Sequence, residues 1–259
     1  MRLFLSLVFL WTSSAQALVL EDLIQSGTLE TTLKNKKIGY YVGSFDPLHK
    51  GHEAVAVLPI QQGLCDLVII YPAWGGDSFK ARADVSVRHD MLFSVFQDHP
   101  TVIVTRLTPK ELQARLTVSD TTKKVKNKPA VKPAFEEMSF IGIIGSDTAL
   151  KLGPNEEASS SFMTGIQIPE KYQTHTLGGL MALPVDSFIV ALREGDDLSV
   201  LKGNIREKEI LATLESKKEK TLSSTAVKKA LTKGNSIHSM VSEPVIKIIE
   251  KQGLYRSAD

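Results

Sequence analysis

The sequence predicts an α/β fold built on a doubly wound parallel sheet of about five strands. Two observations carry this. Five short runs are apolar throughout instead of alternating, as in strands buried on both faces. Stretches with helical periodicity separate them, which places successive strands parallel with crossovers between. The runs are 36–42, 66–71, 101–105, 139–145 and 187–192. Helical patterns cover 53–62 and 85–97, and a further helix, 226–231, follows the last run.

Composition narrows the class further. The 259 residues are 42% hydrophobic and 23% charged, with a mean hydropathy of −0.02. That excludes a disordered acidic chain and a multi-span membrane protein. Thirty-one Lys and Arg stand against 29 Asp and Glu, a net charge of +2, so no strong field points to nucleic acid or an acidic membrane. Cys65 is the only cysteine. It rules out an intrachain disulfide and a Cys-rich zinc site, and is expected as a small buried hydrophobe.

Residues 1–17 read as a leader. Arg2 supplies the positive start, 3–11 is apolar except for Ser6, and Ala15-Gln16-Ala17 ends it with small residues. This is a secretory signal peptide pattern, too short to span a bilayer stably. It predicts export to the periplasm or the exterior after cleavage behind Ala17, or a cytoplasmic protein if the leader is not used. The remainder, 18–259, is expected to form a single domain. Within it, 117–133 carries Lys123, Lys124, Lys126, Lys128 and Lys132. With so little to bury, it is expected as a mobile surface insertion. No aromatic residues interleave these lysines, so nucleic acid is not the expected partner. Residues 153–161 form a polar loop.

The stretch that carries chemistry is Gly43-Ser44-Phe45-Asp46-Pro47-Leu48-His49-Lys50-Gly51-His52. It lies where the first strand gives way to the first helix, outside the carboxyl end of a strand, where open α/β sheets bind ligands. Gly43 permits a turn and a close ligand approach, and Gly51 leaves room at the helix start. A helix N-terminus offers free N–H groups to an anion, and His49 and His52 can direct protons at the same phosphate. Neither G-x-G-x-x-G nor G-x-x-x-x-G-K is present, so ordinary dinucleotide and Walker sites are not expected. A His-x-x-His pair can also ligate a metal, but no further His or Cys cluster completes such a site. His89, His99, His175 and His238 have no motif context and are expected to be exposed or structural.

Gly43-x-Phe45-Asp46-Pro47-x-His49-x-Gly51-His52 resembles the signature of the HxGH nucleotidyltransferase superfamily. From about Lys37 to Tyr255 the order of motifs is similar to the nicotinate/nicotinamide mononucleotide adenylyltransferases, whose fold is Rossmann-like. The resemblance implies that His49 and His52 are catalytic. It implies ATP contacts from Gly43, Ser44, Phe45, His52, Gly145, Asp147, Ser223, Ser224, Thr225 and Lys228. It implies that Ser44, Phe45, Lys80, Arg88 and Arg193 face the mononucleotide. Gly145-Ser146-Asp147 matches a Gly-x-Asp element that holds a ribose, Arg193-Glu194-Gly195 an Arg-x-Gly element, and 222–228 the Ser-Ser-Thr phosphate motif. Val245 to Tyr255, ending in Gly253-Leu254-Tyr255, is similar to the family's closing helix.

Two departures stand out. Lys228 replaces the usual arginine, turning a bidentate contact into a point charge. No tryptophan follows Asp147; Trp74 lies elsewhere, and Phe162 and Tyr172 are the candidate ring partners. The implied reaction joins ATP to nicotinate or nicotinamide mononucleotide, giving the dinucleotide and pyrophosphate, with Mg²⁺ bound through substrate phosphates and no metal held by the protein. Alternatives are pantetheine-phosphate adenylyltransferase, a cytidylyltransferase, or a secreted nucleotide-binding protein without turnover. Either mononucleotide and a homo-oligomer are left open.

Overall fold

The computed structural model describes residues 18–73, 82–125, 128–149, 183–192, 196, 210–215 and 222–256. The leader, the loop 153–161, Trp74, Lys80, Phe162, Tyr172, His175 and Arg193 lie outside them. The chain opens with β1 (Leu18–Val19), α1 (Leu20–Gln25), α2 (Leu29–Leu33) and β2 (Lys37–Gly43). Next come α3 (Lys50–Gln61), β3 (Leu67–Pro72), α4 (Val85–Phe96), β4 (Val102–Val104) and α5 (Pro109–Leu116). A ribbon of β5 (Thr117–Val125) and β6 (Lys128–Pro133) precedes β7 (Ser139–Gly145) and α6 (Ser146–Ala149). Then follow β8 (Val185–Leu192), β9 (Ile210–Glu215), α7 (Ser224–Thr232) and α8 (Glu243–Gln252).

The main sheet has seven strands in the order β1-β4-β3-β2-β7-β8-β9, and every pairing in it is parallel. Five of the strands are the apolar runs read from sequence. The count of five is corrected by the two edge strands. β1 is two residues long, paired through Leu18↔Ile103 and Val19↔Val104, and in sequence it merges with the apolar leader. β9 alternates between half-buried and exposed positions, with only Leu214 fully covered, so it lacks a continuous apolar run. From β2 the chain winds one way through β3 and β4 and the other way through β7, β8 and β9. The order reverses between β2 and β7, which is the crevice where doubly wound sheets bind ligands.

Residue alternation sorts the sheet's two faces. Tyr41, Val68, Ile70, Val104 and Ile143 pack with Ala56 of α3, Met91 and Leu92 of α4, Val227 of α7 and Val245 and Ile249 of α8. Ile38, Tyr40, Ile69, Tyr71 and Ile103 pack with Leu20 and Leu23 of α1 and Leu112 and Leu116 of α5. Cys65 is buried as expected, and burial pushes its thiol up to about 12, which leaves it unreactive. Among the described residues no helix is long and apolar enough to cross a membrane.

The lysine-rich segment 117–133, expected as a mobile surface insertion, forms a two-stranded antiparallel ribbon with Thr117 opposite Pro133 and Ser119 opposite Val131. Its β-branched residues Thr117, Val118, Thr121, Thr122, Val125 and Val131 favour extended backbone. The ribbon leaves the domain between the end of α5 and the start of β7. That is the amino end of the sheet, away from Gly43 and Gly145.

His89 lies on α4 with 3% of its surface exposed, edge-on to the Tyr71 ring at 6.3 Å. Neither ring nitrogen has a hydrogen-bond partner. Burial, helped by Arg106 and Arg88, pushes its pKa down from 6.5 to about 4. The unfolded chain therefore takes up this proton near pH 6.5, and the folded one only near pH 4. The stability from keeping His89 neutral is fully present above pH 6.5 and is lost as the pH falls towards 4, a change of about 3 kcal/mol. His89→Leu should flatten this acid limb, which urea midpoints at pH 7.5 and 4.5 will measure. Equal pH sensitivity in variant and parent rules the histidine out as its source.

Candidate active site

β2 ends at Gly43, and the chain turns through 44–49 into α3. A Cβ at Gly43 would stand 2.7 Å from Phe45 Cζ. The missing side chain thus makes room for the Phe45 ring, where sequence reading had reserved that space for a ligand. Phe45 has φ +47°, an unfavourable left-handed backbone for a residue with a side chain. Its ring meets Tyr41 and His52 edge-on, each at 5.1 Å.

His49 caps α3. Its extended backbone, φ −140° and ψ 165°, lets Nδ1 accept the His52 backbone N–H at 3.4 Å. A neutral imidazole that accepts at Nδ1 carries its proton on Nε2, so His49 offers Nε2–H as a donor. The His49 and His52 rings stack with centroids 3.6 Å apart at 24°. The sequence placed the helix start at 53; it begins at Lys50, so Gly51 and His52 belong to its first turn. The connection between α7 and α8 clamps this turn. Lys50 donates its backbone N–H to Met240 O at 3.0 Å and its Nζ to His238 O at 2.8 Å. Ser242 Oγ donates to Glu53 Oε1. Burial raises the Glu53 pKa, opposed by this hydrogen bond.

Asp46, 3% exposed, gathers three donors from distant segments. Ala83 N–H reaches Oδ1 at 3.0 Å, Tyr255 OH reaches Oδ1 at 2.5 Å, and Lys228 Nζ pairs with Oδ2. Lys228 also lies 4.8 Å from the centroid of the Tyr255 ring, a cation–π contact. Arg88, expected to face a mononucleotide, is 2% exposed and serves the backbone. Its Nε donates to Ala83 O at 3.1 Å, and its Nη1 to Ser44 O at 2.8 Å and Ala73 O at 2.7 Å. Burial lowers its pKa, with Asp46 opposing. Arg88 therefore ties the histidine turn to both ends of 74–81, the segment that carries Lys80.

At α7, Ser223 Oγ accepts the Ala226 N–H at 3.1 Å as the N-cap, and Ser224 Oγ donates to Pro47 O at 3.0 Å. Ser223 thus caps the second helix start, and Ser224 holds that start against the histidine turn. Thr225 is exposed in that first turn. Gly145 ends β7 beside β2, and Asp147 sits in the short α6 after the buried Ser146. Of the predicted site residues, Gly43, Ser44, Phe45, His49, His52, Arg88, Ser223, Ser224 and Lys228 are linked by these contacts. Lys80 and Arg193 lie outside the described residues. Sequence reading gave no role to Asp46 or Tyr255. An acid placed between Phe45 and a proline at the end of a buried strand was the available signal.

No family model matches the chain. It is similar to the probable nicotinate-nucleotide adenylyltransferase of Exiguobacterium sibiricum, 24% identical over 220 residues, covering 85% of this chain and 98% of that protein. The counterpart in Hydrogenobaculum is 26% identical over 222 residues, covering 84% and 97%. The fold is shared with Plasmodium falciparum nicotinic acid mononucleotide adenylyltransferase complexed with NaAD, at a TM-score of 0.53 and 19% identity, covering 85% and 97%. The same enzyme complexed with APC gives a TM-score of 0.51.

Proposed function

We infer that this chain belongs to the nicotinate-nucleotide adenylyltransferase family and joins ATP to nicotinate or nicotinamide mononucleotide, releasing pyrophosphate. The observation that carries this reading is the stacked His49–His52 pair, set in the first turn of α3 at the switch point of a parallel sheet. Relatives that align along nearly their whole length support it.

The attacking phosphate of the mononucleotide is already an anion, so no side chain needs to act as a base. What the site must do is bring two polyanions together and share the charge that develops on the α-phosphate and the leaving group. His49 Nε2–H and the His52 imidazole donate there, backed by the positive end of α3. The first turn of α7, with Thr225 exposed, takes the β- and γ-phosphates. Lys228 has three N–H donors and can keep Asp46 while meeting a phosphate. Ser44 and Phe45 line the mononucleotide side, which Arg88 shapes by fixing both ends of the Lys80 segment. Gly145 and Asp147 take the ribose, and Arg193 the mononucleotide, as the resemblance implies.

Asp46 already accepts from Ala83, Tyr255 and Lys228, and among the described residues no three His, Cys, Asp or Glu side chains gather as a metal-binding group. This donor set suits Mg²⁺ carried by the substrate phosphates, where it supplies charge neutralisation.

A coupled pyrophosphate assay on residues 18–259, with ATP, Mg²⁺ and each mononucleotide in turn, tests the proposal. Turnover with one of them is expected, and none with either overturns it. The leader pattern supports export, in which case N-terminal sequencing of the native protein gives Leu18. An intact Met1 in a cytosolic fraction overturns that part.

A further inference from the structure

We propose that Tyr255 is a positioning residue for the two imidazoles, acting through Asp46; the inference rests on the catalytic reading of the site. The Tyr255 hydroxyl donates to Asp46 Oδ1 at 2.5 Å across 209 residues of sequence. Asp46 follows Phe45 directly, and the Phe45 ring meets His52 edge-on at 5.1 Å. His52 in turn stacks on His49 at 3.6 Å. One contact therefore links the end of α8 to the groups that face phosphate.

Backbone geometry marks both ends of this link. Phe45 has φ +47° and Tyr255 has φ +61°, a conformation that side-chain-bearing residues keep only where their surroundings hold them. At Phe45 the preceding carbonyl is fixed by Arg88 at 2.8 Å and the following side chain by Ala83, Lys228 and Tyr255. At Tyr255 the left-handed turn that begins at Gly253, φ +62°, brings the ring under Lys228 and aims the hydroxyl at Asp46. Burial and the Asp46 carboxylate both raise the phenol's pKa. The hydroxyl therefore stays a donor across any practical assay pH. Without it, Asp46 loses the donor that fixes Oδ1 from the C-terminal side. Asp46 then keeps only Ala83 and Lys228, so the left-handed backbone of Phe45 and its ring against His52 are held less tightly.

Tyr255→Phe removes the hydroxyl and keeps the ring, so it separates positioning from packing. The expected result is a fall in kcat of about tenfold with both KM values within about twofold. The unfolding midpoint should fall only modestly, as expected for one lost hydrogen bond to a carboxylate that keeps two other donors. Long-range ¹⁵N–¹H correlations of the His49 and His52 imidazoles should shift while those of His89 and His99 stay in place. Parent-like kcat with unchanged imidazole spectra overturns the inference. So does a loss of activity that only follows a loss of stability, with the imidazole spectra unmoved. If the parent protein makes no pyrophosphate, the functional reading fails, and the imidazole spectra alone still decide whether Tyr255 positions the pair.

Discussion

His52→Ala is expected to lower kcat by about a hundredfold or more while the protein stays folded. The side chain is half-buried and stands in the first turn of a twelve-residue helix. It is His49 Nδ1 that caps the helix, and it accepts the backbone N–H of residue 52, which alanine retains. What the substitution removes is a donor preorganised by stacking on His49 and by the edge of Phe45. Such donors act mainly on the charge that develops in the transition state, so KM should change less than kcat. Steady-state pyrophosphate release checks the size of the loss, and circular dichroism checks the fold. A kcat within a few-fold of the parent removes His52 from the chemistry.

The largest effect on stability is expected at Arg88. Its guanidinium is buried and satisfies carbonyls from three segments, at Ser44, Ala73 and Ala83. Arg88→Ala leaves those oxygens without their donors and opens a void beside α4. The expected cost is about 3–5 kcal/mol. Because the same carbonyls border the histidine turn and the Lys80 segment, kcat/KM should also fall in the fraction that remains folded. Arg88→Lys should recover only part of the loss, since an ammonium on a flexible stem cannot reproduce a fork aimed at three acceptors. Urea unfolding of the parent and both variants checks the ranking. A loss below about 1 kcal/mol in Arg88→Ala means that water replaces the guanidinium at little cost.

The parts of the fold that sequence made legible share one property: their signal is local. The cores of β2, β3, β4, β7 and β8 are apolar runs without alternating polar positions, and the chemistry of 43–52 fits within ten residues. The two strands of the ribbon went unread because five lysines masked the β-branched positions that favour extended backbone. The edge strands were missed because one is two residues long and the other is half exposed. Asp46, Arg88 and Tyr255 are harder for a different reason. Asp46 lies inside the motif and Arg88 was singled out, but what each of the three does arises from partners that the fold brings in. Lys228 meets Asp46 from 182 positions away and Ser224 meets Pro47 from 177. No periodicity encodes such a pairing. The site residues named from motifs were found as types at spacings, while the scaffold that aims them became visible only in three dimensions.

Those long separations bear on when the protein becomes competent as it folds. Closing a loop of nearly two hundred residues comes late, since its entropy is lost before any contact is gained. The turn that holds the two imidazoles is made early in the chain, yet its ties to Ser224, Lys228, Met240 and Tyr255 all come from the last part. A nascent chain that has formed β2, β3 and β4 therefore carries both histidines on a bend held only by Ala83 and Arg88. Synthesis has to reach the final helix before that bend acquires its shape, so the centre at the heart of the sheet is among the last pieces to set.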